Sequence, residues 1–224
     1  LPDDFEQQLA GFIQQALRDE GFEDAAMARE VPLSRISARW LAAFERQRRA
    51  RGIEIRVEQT GRLTFDGPAG PFTVTAKADR IELDAEGGAI IDYKTGSPPS
   101  QTQVLQGFAP QLPLTGAILG AGGFANPVDP SQLLYVQVTG RAEGGKESDV
   151  SAASKNNSAT AAQISAAEFE RLVEAVALYD DPSRPYVSWE APQFMGNHGG
   201  NYDHLARVWE WMVVGGHEGE GEGE

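Results

Sequence analysis

Asp79, Asp92 and Lys94 are the residues of this chain whose types and spacing could do chemistry. Asp79 stands near the end of a strand-like run over residues 72–81, and Asp92 and Lys94 flank Tyr93 in a second run over residues 89–94. Between them lies Asp84-Ala85-Glu86-Gly87-Gly88, whose turn chemistry predicts a β-hairpin. The two aspartates lie six or seven residues either side of the turn centre at Ala85 and Glu86, so a regular hairpin sets them nearly opposite each other. Strand side chains alternate between faces, so Asp92 and Lys94 point the same way. Two facing carboxylates repel unless a cation sits between them, and hard oxygen donors suit Mg²⁺ or Mn²⁺. Lys94 could position or activate a water, or steady the charge developing on a phosphate oxygen. An Asp and a Lys two apart on a strand also form ordinary surface ion pairs, which are usually worth little. The setting favours chemistry, because Ile81, Leu83, Ile90 and Ile91 embed these charges in apolar runs.

The elements that must position these residues can be read outward from the hairpin. Residues 53–65 read as a third strand, giving three consecutive antiparallel strands. Apolar parity changes inside the second: Phe72, Val74, Ala76 and Ala78 keep one phase, Ile81 and Leu83 the other. A bulge or sharp twist near Asp79 would reconcile them. A helix is expected over about 104–119, carrying Gln111, with Pro110 and Pro113 kinking it or shortening its first turns. Residues 132–139 read as a strand. Residues 141–163, rich in Gly, Ser, Ala and Asn, read as a mobile loop, and 165–179 as an amphipathic helix. The first fifty residues read as two helices, the second capped by Ser34. On that helix Ile36, Trp40 and Phe44 share a face, while Arg35, Arg39, Arg46 and Arg49 line another as a solvated stripe or a DNA-facing ridge. Glu45, at the edge of the apolar face, is a candidate upstream acidic metal ligand.

Three blocks carry a resemblance: Ala78-Asp79-Arg80-Ile81, then Ile91-Asp92-Tyr93-Lys94-Thr95-Gly96, then residues 106–114 around Gln111. In this order and at short spacing they resemble the RecB-type nuclease domain of the PD-(D/E)XK superfamily, above all the C-terminal nuclease domain of alphaproteobacterial AddB. The likeness extends more weakly to Pro185-Tyr186 and residues 202–211. It implies an α/β (α+β) restriction-endonuclease-like core of order αβββαβ, a mixed sheet flanked by helices. It implies a Mg²⁺-dependent (or Mn²⁺-dependent) deoxyribonuclease within a helicase–nuclease complex that processes double-strand DNA breaks. Its partners would then be DNA and an AddA-like helicase–nuclease subunit. The metal ligands would be Asp79, Asp92 and the backbone carbonyl of Tyr93. Lys94 would be catalytic, and Gln111 would hold the Lys94 region or a phosphate. Relatives often carry Tyr or Glu four residues after that Gln, where this chain has the shorter Thr115. The alternative within the resemblance is a catalytically inactive nuclease fold serving as a DNA-binding or scaffolding module.

RecB-type domains begin with a helix bearing a Gly-x-x-x-His-type motif, whereas here the first histidine is His198 and the chain opens at Leu1. The expected organisation is therefore a nuclease-like domain over 1–214 lacking its first segment, weakly active by itself, with an acidic Gly-Glu tail over 215–224 reading as disordered. A formal net charge of −14 argues against free-standing DNA affinity. Absence of cysteine excludes disulfides, thiolate zinc sites and the Fe–S cluster of some AddB relatives, and fits a reducing, cytoplasmic setting. No apolar run reaches the ~20 residues of a membrane-spanning helix.

Other signals are weaker. Residues 140–146 nearly spell a phosphate-binding loop, but Glu147 stands where Ser or Thr is needed. His198, His204 and His217 fit no compact zinc site. Trp189, Trp209 and Trp211 read as core or interface anchors.

Overall fold

Why the chain makes a mixed sheet follows from its strands. In a computed structural model, which describes residues 1–139, 141 and 143–184, three antiparallel strands come first: β1 (Glu54–Gly67), β2 (Gly70–Asp84) and β3 (Gly87–Lys94). The β2–β3 turn is Ala85-Glu86, closed by the paired Asp84 and Gly87. Gly87 has φ +137°, and a Cβ there would run into the Asp129 carbonyl, so the position requires glycine. β4 (Pro130–Val138) lies parallel to β3, and β5 (Gly145–Asp149) returns antiparallel along its edge, giving the order β1-β2-β3-β4-β5. A parallel neighbour needs a crossover. Here it is supplied by α3 (Gln101–Leu105) and α4 (Gln111–Gly120).

The sequence expects one helix where α3 and α4 stand. The break falls over residues 106–110, where Gly107 adopts φ +81° and Pro110 caps α4. Pro113 lies in the first turn of α4, where a missing N–H costs little. α3 starts with a capping box at Ser100 and Gln103.

Two helices lead the chain, α1 (Phe5–Asp19) and α2 (Asp24–Arg49), and α5 (Ala161–Tyr179) follows the sheet. α2 runs through Pro32 without ending. Ser34 is therefore interior rather than a cap: its hydroxyl donates to the Val31 carbonyl at 2.8 Å and accepts from Gln14 Nε2 at 2.9 Å. α5 opens four residues earlier than read, at a capping box of Thr160 and Gln163. Within the 141–163 stretch read as a loop, Gly145–Asp149 forms β5. Its Lys, Glu, Ser and Asp give no apolar alternation, so pairing with β4 makes the strand and not its own pattern.

The centre of the sheet, β3 and β4, is buried on both faces. On one side Ile81, Ile90, Leu133 and Tyr135 pack with Leu112, Ile118 and Leu119 of α4 and Ile164 of α5. On the other Ile91, Leu134 and Val136 pack with Phe44 and Trp40 of α2, whose rings stack with centroids 5.5 Å apart. The expected irregularity near Asp79 takes the form of a kink without register change. Pairs on either side hold one register, the Glu58–Asp79 pair is skipped, and Glu58 adopts φ +53°. This lets Ala78 and Ile81, of opposite parity, reach the same core.

Residues up to Asp181 form one unit. The readings placed on residues 185–224, including the histidines, Trp189, Trp209, Trp211 and the acidic tail, lie outside the described residues. Among the described residues no helix is long and apolar enough to cross a membrane.

Candidate active site

The β2–β3 register places Asp79 and Asp92 across from each other, one step beyond the last backbone pair, Arg80 with Ile91. At that step the Asp79 carboxylate takes over from the backbone, its Oδ2 accepting from the Tyr93 amide at 3.0 Å. The strands part there, and the acid that parts them is one of the two predicted from the spacing.

Asp92 shares a face with Ile90 and Lys94, the face covered by α4. Its side chain is 8% exposed. Gln111, first residue of α4, donates from Nε2 to Asp92 Oδ1 at 2.9 Å. Lys94 Nζ lies 2.7 Å from Asp92 Oδ2 and donates to Gln111 Oε1 at 3.5 Å. The structure thus brings Asp92, Lys94 and Gln111 into one triangle, with Asp79 joined through the Tyr93 backbone. Beneath it Tyr135, in register with Asp92 on β4, lies with its ring centroid 5.9 Å from Lys94 Nζ.

Burial pushes the Asp92 carboxyl above its ordinary 3.8, and the Asp79 charge adds to this, while Lys94 pulls the other way and does not win. Tyr135 is pushed up to about 12, first by burial and then by the Asp92 charge. Two carboxylates, Asp79 and Asp92, face one ammonium beside a neutral phenol, so the site is short of positive charge.

That shortage bears on a metal. Asp92 Oδ2 is buried and, although beside Lys94, accepts no aligned hydrogen bond. Among the described residues no cluster of three or more Asp, Glu or His side chains surrounds the pair. A Mg²⁺ ion needs no larger protein set, since it is typically held by one or two carboxylates, with waters and substrate phosphates completing the octahedron. Asp79 and Asp92 fit such an ion.

Glu45 does not join them. It stands on the opposite face of the sheet, where Arg80 grips it with both terminal nitrogens and Arg49 donates to its Oε2 at 2.9 Å. Burial pushes its carboxyl up, but these arginines outweigh it and hold Glu45 below its ordinary 4.5. Arg80 also pairs with Glu82 at 2.6 Å and donates to Tyr93 Oη at 3.2 Å; Glu82 in turn accepts from Arg48 Nε at 2.7 Å. This buried network behind the site was missed in the sequence. Arg80 and Glu82 on strand parity opposite to Ile81 and Leu83 were the available signal. Thr115 bonds its own helix, donating to the Gln111 carbonyl at 2.8 Å, and so does not reach the acids.

Comparison with known proteins bears on the family and the fold. The model of the PD-(D/E)XK nuclease superfamily matches residues 2–187. The chain belongs to that superfamily. Its fold, a five-stranded mixed sheet between helices, is the one the superfamily predicts. Similar curated proteins include an uncharacterized protein of Rickettsia conorii, 32% identical over 95 residues, covering 42% of this chain and 11% of that relative. Another, from Rickettsia bellii, is 27% identical over 112 residues, covering 43% of this chain and 14% of the relative. The matched part is thus a small share of those longer proteins. A looser likeness, TM-score 0.34 at 12% identity, covers 76% of this chain and 70% of the crystal structure of SSO0001.

Proposed function

We propose that this superfamily domain is a divalent-metal-dependent deoxyribonuclease, with Asp79, Asp92 and Lys94 as its centre. The observation that carries this reading is the triangle of Asp92, Lys94 and Gln111 at the point where Asp79 separates β2 from β3. Asp79, Asp92 and the Tyr93 carbonyl would hold Mg²⁺ or Mn²⁺. When bound, such an ion polarises a phosphate and makes a water more acidic. Lys94 carries the ammonium that faces the phosphate and offsets charge gathering on its oxygens. Gln111 orients both: its amide fixes Asp92, and its carbonyl oxygen holds Lys94. Tyr135 closes the floor and keeps bulk water from the buried oxygen of Asp92.

The inactive-module alternative is disfavoured by the same triangle, because a fold that has lost catalysis has no need to hold a buried carboxylate, an ammonium and an amide together beside a second aspartate. The motif blocks further support a role in a helicase–nuclease complex acting at double-strand breaks, with an AddA-like subunit as partner.

With linear DNA and millimolar Mg²⁺ or Mn²⁺, the complete protein is expected to release acid-soluble nucleotides or discrete fragments, and EDTA to stop it. Undiminished cleavage in EDTA would overturn the metal-dependent reading.

A further inference from the structure

Beyond the carboxylates, the same face of the sheet carries a second row of side chains. Lys94 on β3 is in register with Gln137 on β4, and Gln137 with Lys146 on β5. Residues paired in register share a face, so the three lie side by side. Two strand spacings, roughly 10 Å, separate the backbones of Lys94 and Lys146. An independent contact fixes this orientation. A Cβ on Gly145 would enter the Trp40 ring of α2, on the opposite face, so Lys146 beside it turns toward the site. Gly144, at φ +74°, is equally tight against α2, so the β4–β5 connection is anchored there.

Above this row lies a cavity of about 470 Å³, lined by Thr95 and Ser97 after β3, Gln137 and Thr139 of β4 and its end, and Arg141 and Lys146. Gln137 Nε2 donates to the Gly96 carbonyl at 2.9 Å and ties the β3 exit to the cavity floor. Among the described residues neither Arg141 nor Lys146 has an ion-pair partner, although the chain carries an excess of 14 negative charges. Glu143 also lines the cavity and opposes them. Hydroxyls, an amide and two unpaired cations make a lining suited to phosphodiester oxygens, and poorly suited to an apolar ligand.

We infer that this cleft receives the sugar–phosphate backbone of the substrate strand next to the phosphate being cut, with Lys146 and Arg141 as its phosphate contacts. The inference rests on the nuclease reading and adds a direction to it: the strand leaves the carboxylates past Lys94 toward the β4–β5 edge. Lysine on an edge strand also guards against strand addition. That bland role predicts no effect on nucleic-acid binding, and so separates from this one by measurement.

The test is the affinity of a fluorescein-labelled single-stranded oligodeoxynucleotide for the complete protein in EDTA, followed over a range of salt. In the Arg141→Ala, Lys146→Ala double variant the slope of log affinity against log salt should become shallower by about 1.4, at ~0.7 per lost phosphate contact on single strands. Glu143→Gln should bind more tightly than wild type. Lys155→Ala, an exposed lysine outside the cleft, should leave the slope unchanged. A wild-type slope in the double variant overturns the cleft assignment, as does absence of any wild-type affinity. Cleavage of DNA by the wild-type protein with Mg²⁺ is scored separately. Cleavage together with an unchanged slope removes the cleft and leaves the nuclease centre standing.

Discussion

Asp92→Asn and Lys94→Ala, each in the complete protein, are expected to lower DNA cleavage by about 10²–10³-fold or more, the scale on which one lost electrostatic group costs a hydrolase. The Asn variant keeps the shape of the side chain and its acceptor for Gln111 while removing the charge a cation would need. The sign of its stability effect is also fixed. Because burial raises the Asp92 carboxyl above its ordinary 3.8, ionisation of this group costs stability as pH rises through the shifted value, and protonation at lower pH restores it. Asp92→Asn removes that cost, so in metal-free buffer the variant should melt no lower than wild type at neutral pH. Lost activity with retained stability is the pattern of a functional site. Cleavage within twofold of wild type in both variants would place the chemistry elsewhere.

The second large effect lies behind the sheet. Arg80→Met should destabilise the fold by about 2–3 kcal/mol, measured by denaturant unfolding, because Glu45 and Glu82 lose their shared cation and keep only Arg49 and Arg48. Replacing Glu45 and Arg80 together, by Gln and Met, should cost less than the sum of the single changes, since the pair is coupled. The acid limb gives a second reading. Glu45 is held below its ordinary 4.5, so it contributes stability above that value that is lost as pH falls through its folded pKa. That loss should disappear in Arg80→Met. A cost under about 1 kcal/mol would mean the network is no more than a surface arrangement.

How much of this was legible depends on which forces left a mark in the sequence. The hairpin was legible because Gly87 and Gly88 mark the turn and the register follows by counting, which set Asp79 across from Asp92. Gln111 was legible only through its motif; its contact with both Asp92 and Lys94 depends on where α4 begins, and Gly107 and Pro110 move that start by several residues. The Arg80–Glu45–Glu82 network was legible only in part: strand parity turned Arg80 and Glu82 away from Ile81 and Leu83, but their partner Glu45 lies on α2 at a sequence separation of 35 that periodicity does not report. For the same reason Glu45 was read as a candidate ligand, when its helix faces the back of the sheet. β5 was hidden because it buries no apolar side chain on either face: Lys146 and Glu147, which point to opposite faces, are both exposed, so no alternation marks it. The row of Lys94, Gln137 and Lys146 follows from β5 and was hidden with it.

Peptide cutting by bound iron tests, without relying on activity, the claim that Asp79 and Asp92 hold a divalent ion. Fe²⁺ substituted for Mg²⁺, with ascorbate and peroxide, generates radicals that cleave the backbone at the metal. The expected cuts fall in β2 beside Asp79 and in β3 between Asp92 and Lys94, are suppressed by excess Mg²⁺, and vanish in Asp92→Asn. Cuts confined to other carboxylates, such as those around Glu45 on α2, or a pattern that Asp92→Asn leaves unchanged, would contradict the claim.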